Sequence, residues 1–424
     1  MNQNYYDYVY VAICNLKLFS GKQLNLLKDL GLVLNHREFI ECIMNDYDFN
    51  YVLSKTTIPN IKRTIDSINS IRENIRSILD YADIICEDTS EKGIFLISTE
   101  SDEYPFHWKL ISGMPNVFFC IGKKSILKKC NTNGAVAIVG SRYPSQYSKD
   151  VTKEFTAEIT NKDVVVVSGM ALGIDGIAHA TTLQNNKSTI AVVPGGCDVV
   201  YPHQNYDLYQ RIIEDGLVIS ELIPGTQIIK QYFPSRNRLI AGLSDCCMIM
   251  EAGASSGTLH TASFAANQGK NVYVLPNTIY STNSLGGLAL IRDGAKILLN
   301  TNEVIDDIAK NVYERLSLYP ELLDDFAEAE EQKNAEYYSP VTHNLREYNS
   351  KKIPEIKSKL NSSPELVTNE EFKIIIKDIL TGKSKCMDEL IRLLPINLGK
   401  LSIILTEMEI SGEIYSDGEN YCSL

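Results

Sequence analysis

The sequence predicts an α/β protein built on a parallel, doubly wound sheet, with a helical region before it and a winged-helix-like unit after it. Three observations carry this prediction. Short β-branched or apolar runs recur from residue 134 onward: "AVAIVG", "VVVVSG", "TIAVVPGG", "LVISE", "CMIMEAG" and "NVYVLPN". Their starts fall about 20 to 30 residues apart with polar–apolar helical stretches between them, the rhythm of βαβ units. Small or charged residues follow the C-terminal end of nearly every run, where an open parallel sheet keeps its ligand crevice.

Taken in order, residues 1–88 read as a helical domain, with apolar residues at helical spacing in "SINSIRENIRSILDYADII". The runs "GIFLIS" and "NVFFCIG" predict two short strands leading into the core, which spans 89–311. Residues 312–362 are polar, acidic at first, and read as a linker. Residues 363–424 predict three helices closing on a two-stranded hairpin, with the Asp-Gly pair of "SDGEN" at its turn.

Composition narrows the class. The chain is 44% hydrophobic, enough for a large core, and no stretch approaches the ~20 apolar residues of a membrane helix. The first residues lack the basic region of a signal peptide, and the ten cysteines form no C-x-x-C pair. Both point to buried thiols in a reducing cytoplasm, with no metal site. The formal charge of -12 is unevenly spread. Residues 134–300 carry 12 Lys+Arg against 13 Asp+Glu, whereas 301–340 carry 3 against 11. The core is therefore close to neutral, and a local basic site within it remains compatible with an acidic chain.

The strand-end residues are Gly140-Ser141-Arg142, Ser168-Gly169, Pro194-Gly195-Gly196, Glu221, Glu251 through Gly257, and Pro276. Small residues there let backbone N–H groups approach an anion, which the following helix N-termini also favour. The segment lacks G-x-G-x-x-G and the phosphate-binding G-x-x-x-x-G-K-[ST], so no nucleotide cofactor is expected. In "GIDGIAHA", Asp175 reads as a helix N-cap and His179 as a half-buried structural residue. In "QYFPSRNRLIAGLSD", Arg236, Asn237 and Arg238 lie near the same rim as Arg142. Two carboxylates cannot occupy three forked guanidinium donors, so at least one arginine is left for a phosphate. The expected division gives Arg142 and Arg236 to phosphate and Arg238 to Glu221 or Glu251. Phe233 or Tyr232 would offer a stacking face.

The blocks "AIVGSR", "SGMALGIDGIAHATTL", "TIAVVPGGCDVVYPHQN", "GLVISELIPG", "FPSRNRLIAGLS", "EAGASSGTLHTASFAANQGKNVYVLPN" and "LIRDGAKIL" together resemble the DNA-processing protein A (DprA/Smf) family. The resemblance runs in order over about residues 100–300 and implies an extended Rossmann-like core. It also implies a dimeric protein that binds single-stranded DNA, protects incoming DNA during natural transformation and helps load a RecA-type recombinase. By that resemblance the DNA pocket comprises Gly140, Ser141, Arg142, Ser168, Gly169, Gly195, Gly196, Phe233, Arg236, Asn237, Arg238, Ser256, Gly257 and Thr258. The chain departs from the family pattern at Leu172, Asn277, His260 and Leu288. The alternative is a nucleotide sensor, or a nucleotide-processing enzyme of the same superfamily. For the enzyme, Thr261 stands where the related phosphoribohydrolases carry their glutamate, leaving no evident general base.

Overall fold

The structure, a computed structural model, describes residues 3–53, 61–319 and 322, and stretches between 369 and 423. It divides into two compact units, Met1–Asn311 and Val312–Leu424.

In the first unit six helices come before the sheet among the described residues: α1 Gln3–Asn15, α2 Gly21–Asp29, α3 His36–Met44, α4 Phe49–Leu53, α5 Ile61–Glu73 and α6 Ile75–Glu91. Nine strands follow: β1 Phe95–Ser98, β2 Val117–Gly122, β3 Ala135–Val139, β4 Val165–Ser168, β5 Thr189–Val192, β6 Leu217–Ser220, β7 Cys246–Ile249, β8 Asn271–Val274 and β9 Lys296–Ile297. Between them run α7 Phe106–Lys109, α8 Ser125–Thr132, α9 Gln146–Thr160, α10 Ile174–Gln184, α11 Tyr206–Asp215, α12 Tyr232–Leu243, α13 Thr258–Asn267 and α14 Leu285–Arg292. A last helix, α15 Asn302–Leu318, runs past the point where the linker is expected to begin.

The strands form one sheet in the order β1-β2-β6-β5-β4-β3-β7-β8-β9. Every pair from β6 to β9 along that order is parallel, as the βαβ rhythm requires. The two early strands attach as an antiparallel edge, β1 on β2 and β2 on β6. The strand order reverses at β3, which lies between β4 and β7. This is the topological switch point, and it sets the crevice above the ends of β3, β4 and β7.

Side-chain alternation along the strands assigns the two faces. Ala191, Val218 and Phe119 share one core with the N-terminal helices, including Ile13, Leu24, Phe39 and Ile78. Ile190, Val192, Leu217 and Ile219 face the other way, against Leu239, Ile240 and Leu243 of α12. The helical region is thus part of the packing of the sheet. A buried cluster pins it further: Arg37 and His36 both bond the Asp7 carboxylate, and Arg37 also donates to Ser98 Oγ at 3.0 Å.

In the second unit α16 Asn369–Leu380 and α17 Leu398–Ile410 pack through Phe372, Ile376, Leu401, Leu405 and Met408. Strands β10 Lys385–Cys386, β11 Ile414–Ser416 and β12 Asn420–Ser423 form an antiparallel sheet in the order β10-β12-β11. The expected two-stranded hairpin therefore has a third member. Most of the expected helix over "CMDELIRLL", the hairpin turn, and the linker beyond α15 lie outside the described residues.

Candidate functional site

The crevice is built first by glycine. Gly173, the N-cap of α10, has φ +77°, and a Cβ there would lie 2.4 Å from Ser141 O. Only glycine combines that backbone with that contact. It brings α10 hard against the turn after β3, where Ile174 N donates to Ser141 O at 3.2 Å.

An acidic side chain of the protein itself occupies the anion position this creates. Asp175, in the first turn of α10, is 5% exposed, and its Oδ2 accepts Gly169 N at 3.2 Å and Ala171 N at 3.4 Å. The Gly140 backbone also favours the charged carboxylate. Burial pushes the carboxyl pKa up, opposed by Arg236 and by these N–H groups. Asp175 is therefore no N-cap, and the N–H groups of Gly169 and Ala171 after β4 are already satisfied, as buried donors must be. Neighbouring His179 is fully buried, not half-buried. Its Nδ1 pairs with Thr189 Oγ1 at 2.7 Å, and burial drives its pKa down to about 3.

Several expected phosphate contacts are redirected for the same reason. Ser168 is buried and its hydroxyl donates to Ile138 O at 2.6 Å. Gly195 lies beneath Ile228, and Gly196 N donates to Thr226 O at 2.9 Å, so the 222–228 loop covers that strand end. Arg236, expected to face phosphate, is 7% exposed. Its Nη1 donates to Val192 O, and to Gly169 O at 2.6 Å. Burial lowers its pKa to about 10, with Asp175 opposing the shift and Arg142 adding to it; at neutral pH the guanidinium stays cationic. Arg238 pairs with Glu221, Nη2 to Oε1 at 2.6 Å. Glu251 instead serves α9, accepting the Ser145 hydroxyl at 2.6 Å and the Ser148 hydroxyl at 2.8 Å.

Other predicted residues do come together. Arg142 is exposed, enters no ion pair among the described residues, and holds its guanidinium 5.5 Å from the centroid of Phe233. Tyr201 meets the same ring edge-on, at 5.9 Å and 73°. Phe233 and Asn237 are four residues apart on α12 and so share a face. Asn237 Nδ2 reaches Gly257 O at 3.3 Å, in the loop that opens α13. In that loop Ser256 Oγ accepts Thr258 N at 3.2 Å, and Thr258 Oγ1 donates to Gly140 O at 3.1 Å, joining the ends of β7 and β3. Ala254, Ser255 and Gly257 are exposed. A continuous path therefore runs from Phe233 and Arg142 over the switch point to the exposed 254–257 turn.

Beside Phe233 opens a cleft of about 420 Å³, lined by Val200, Tyr201, His203, Ile228, Lys230 and Phe233. Sequence reasoning did not single out Tyr201 or Lys230, which sit in loops without periodicity. It did contain a signal for Arg236. That residue lies on the helical face of Leu239, Ile240 and Leu243, all buried, so α12's own pattern turns it inward.

A profile of the family described as DNA recombination-mediator protein A matches residues 95–309. The DNA processing protein DprA of Bacillus subtilis (strain 168) is 36% identical over 218 residues, covering 51% of this chain and 72% of that protein. The DNA processing protein DprA of Streptococcus pneumoniae (strain ATCC BAA-255 / R6) is 39% identical over 204 residues, covering 48% of this chain and 71% of that protein. The X-ray structure of DNA processing protein A from Streptococcus pneumoniae superposes with a TM-score of 0.50 at 31% identity, covering 61% of this chain and 96% of that one. Among the described residues no helix is long and apolar enough to cross a membrane.

Proposed function

The chain belongs to the DNA recombination-mediator protein A family, and from that premise we propose that it binds single-stranded DNA along the rim of its parallel sheet. The observation that carries the reading is the pairing of an uncommitted, exposed arginine with an aromatic ring, Arg142 over Phe233. Phosphate capture and base stacking are the two interactions that hold unpaired strands without reading their sequence. Arg142 supplies the first, helped by the exposed Lys230 and by the exposed 254–257 turn. Phe233 and Tyr201 supply the second.

In the wider role we propose, a homodimer protects incoming DNA in the cytoplasm during natural transformation and helps load a RecA-type recombinase on it. It acts as a binder and not as a catalyst, and uses no cofactor. We read the C-terminal unit as a winged helix.

Fluorescence anisotropy with an oligo-dT strand and the matching duplex tests this reading. Tight binding to the strand and weak binding to the duplex are expected. The cleft beside Phe233 favours a second reading, a bound nucleotide. Absence of strand binding at low salt, with a nucleotide retained through purification, decides for that one.

A further inference from the structure

Gly169, Val192 and Gly257 end three different segments of the rim, and one pair of side chains ties them together. Arg236 Nη1 bonds the carbonyls of Gly169 and Val192, at the ends of β4 and β5. Arg236 Nε donates to Asn237 Oδ1 at 3.1 Å, and Asn237 Nδ2 reaches Gly257 O at 3.3 Å, before α13. The fit is close: a Cβ on Gly169 would lie 2.5 Å from Arg236 Nη1. From the other side Asp175 holds the Gly169 and Ala171 N–H groups. The three bonds from Arg236 leave in fixed directions from one planar guanidinium, a geometry that a lysine ammonium does not reproduce.

We propose that Arg236 is a positioning residue: with Asn237 it fixes the separation between the ends of β4 and β5 and the α13 turn, and it does not itself bind phosphate. The inference rests on the single-strand reading above. Two other roles make different demands. A phosphate ligand would keep much of its function as lysine, and its neutralisation would lower the salt dependence of binding. A residue that only stabilises the fold would leave affinity intact in every variant that folds.

The test uses the full chain with Arg236→Lys, Arg236→Gln and Asn237→Ala. Affinity for oligo-dT is measured across a salt series, and amide hydrogen exchange is followed at 169–173 and 254–258. Lysine is expected not to rescue: both Arg236 variants lose about tenfold in affinity through lost pre-organisation. Asn237→Ala loses less. The slope of log affinity against log salt stays at the wild-type value in Arg236→Gln, and both loops exchange faster in all three variants.

Wild-type affinity in Arg236→Lys overturns the proposal, as does a slope reduced by about 0.7 in Arg236→Gln, the value for one phosphate on a single strand. Should the Arg236 variants fail to fold, Asn237→Ala decides, because it leaves the bonds to Gly169 and Val192 in place. Unchanged affinity and exchange in that variant refute the bracket. Should the wild-type protein bind no oligo-dT, the functional reading falls, while faster loop exchange in the variants still upholds the bracket and unchanged exchange rejects it.

Discussion

The Arg142 guanidinium lies over the Phe233 ring, 5.5 Å from its centroid, while Tyr201 packs against the same ring in a T-shaped pair with centroids 5.9 Å apart. Such a cation–π contact at an exposed site contributes about 0.5–1 kcal/mol. A phosphate bonded to two guanidinium N–H groups competes with it readily. Drawing Arg142 toward phosphate frees a face of Phe233 for a base, so the cation and the ring are expected to act together.

Phe233→Leu keeps an apolar side chain on α12 and removes the stacking face. Stacking of one base on an aromatic side chain contributes about 1–3 kcal/mol, so binding of oligo-dT should weaken roughly fivefold to a hundredfold. The salt dependence should not change. Anisotropy titrations at two or more salt concentrations check both statements.

Arg238→Gln tests the division of labour among the arginines. The pair with Glu221 is partly open to solvent, 20% and 34% exposed, which limits its contribution to about 1 kcal/mol or less. Denaturant unfolding should show that small loss, and oligo-dT affinity should stay near the wild-type value.

Gly173→Ala places a Cβ where the left-handed backbone and the Ser141 carbonyl both oppose it. A cost of about 1–3 kcal/mol in unfolding free energy is expected. Because α10 and the 140–142 turn move apart in this variant, oligo-dT affinity should fall as well.

His179 makes stability depend on pH. Its folded pKa is depressed to about 3 by burial, below the ordinary value of 6.5. The unfolded chain therefore takes up a proton that the folded protein refuses. The His179 contribution is complete above the unfolded pKa and is lost as pH falls from about 6.5 toward 3. Between pH 7 and pH 5 it amounts to about 2 kcal/mol. Unfolding of wild type and His179→Gln at the two pH values measures it as the difference in their pH slopes.

The parallel sheet was legible because β-branched runs at regular spacing have few other solutions, whereas the reversal at β3 was not, since spacing along the chain does not say which strands pair. The two-residue strand β9 was not, since so short a run carries no periodicity. At the site, sequence identified the donors but not their partners. Arg142 and Arg236 look alike as letters, yet one follows a strand into solvent and the other faces the core from α12. Gly169 and Gly196 announce close backbone approach, but nothing local says that the approaching groups are Asp175 and Thr226 of the chain itself. Buried polar groups are satisfied by tertiary contacts, and one-dimensional spacing does not encode those.

The central claim is that Arg142 captures a phosphate of an unpaired strand. The most direct measurement is the salt dependence of oligo-dT binding by wild type and Arg142→Ala. Loss of one phosphate contact should reduce the slope of log affinity against log salt by about 0.7, with weaker binding throughout. Equal slopes and equal affinities in the two proteins would contradict the account.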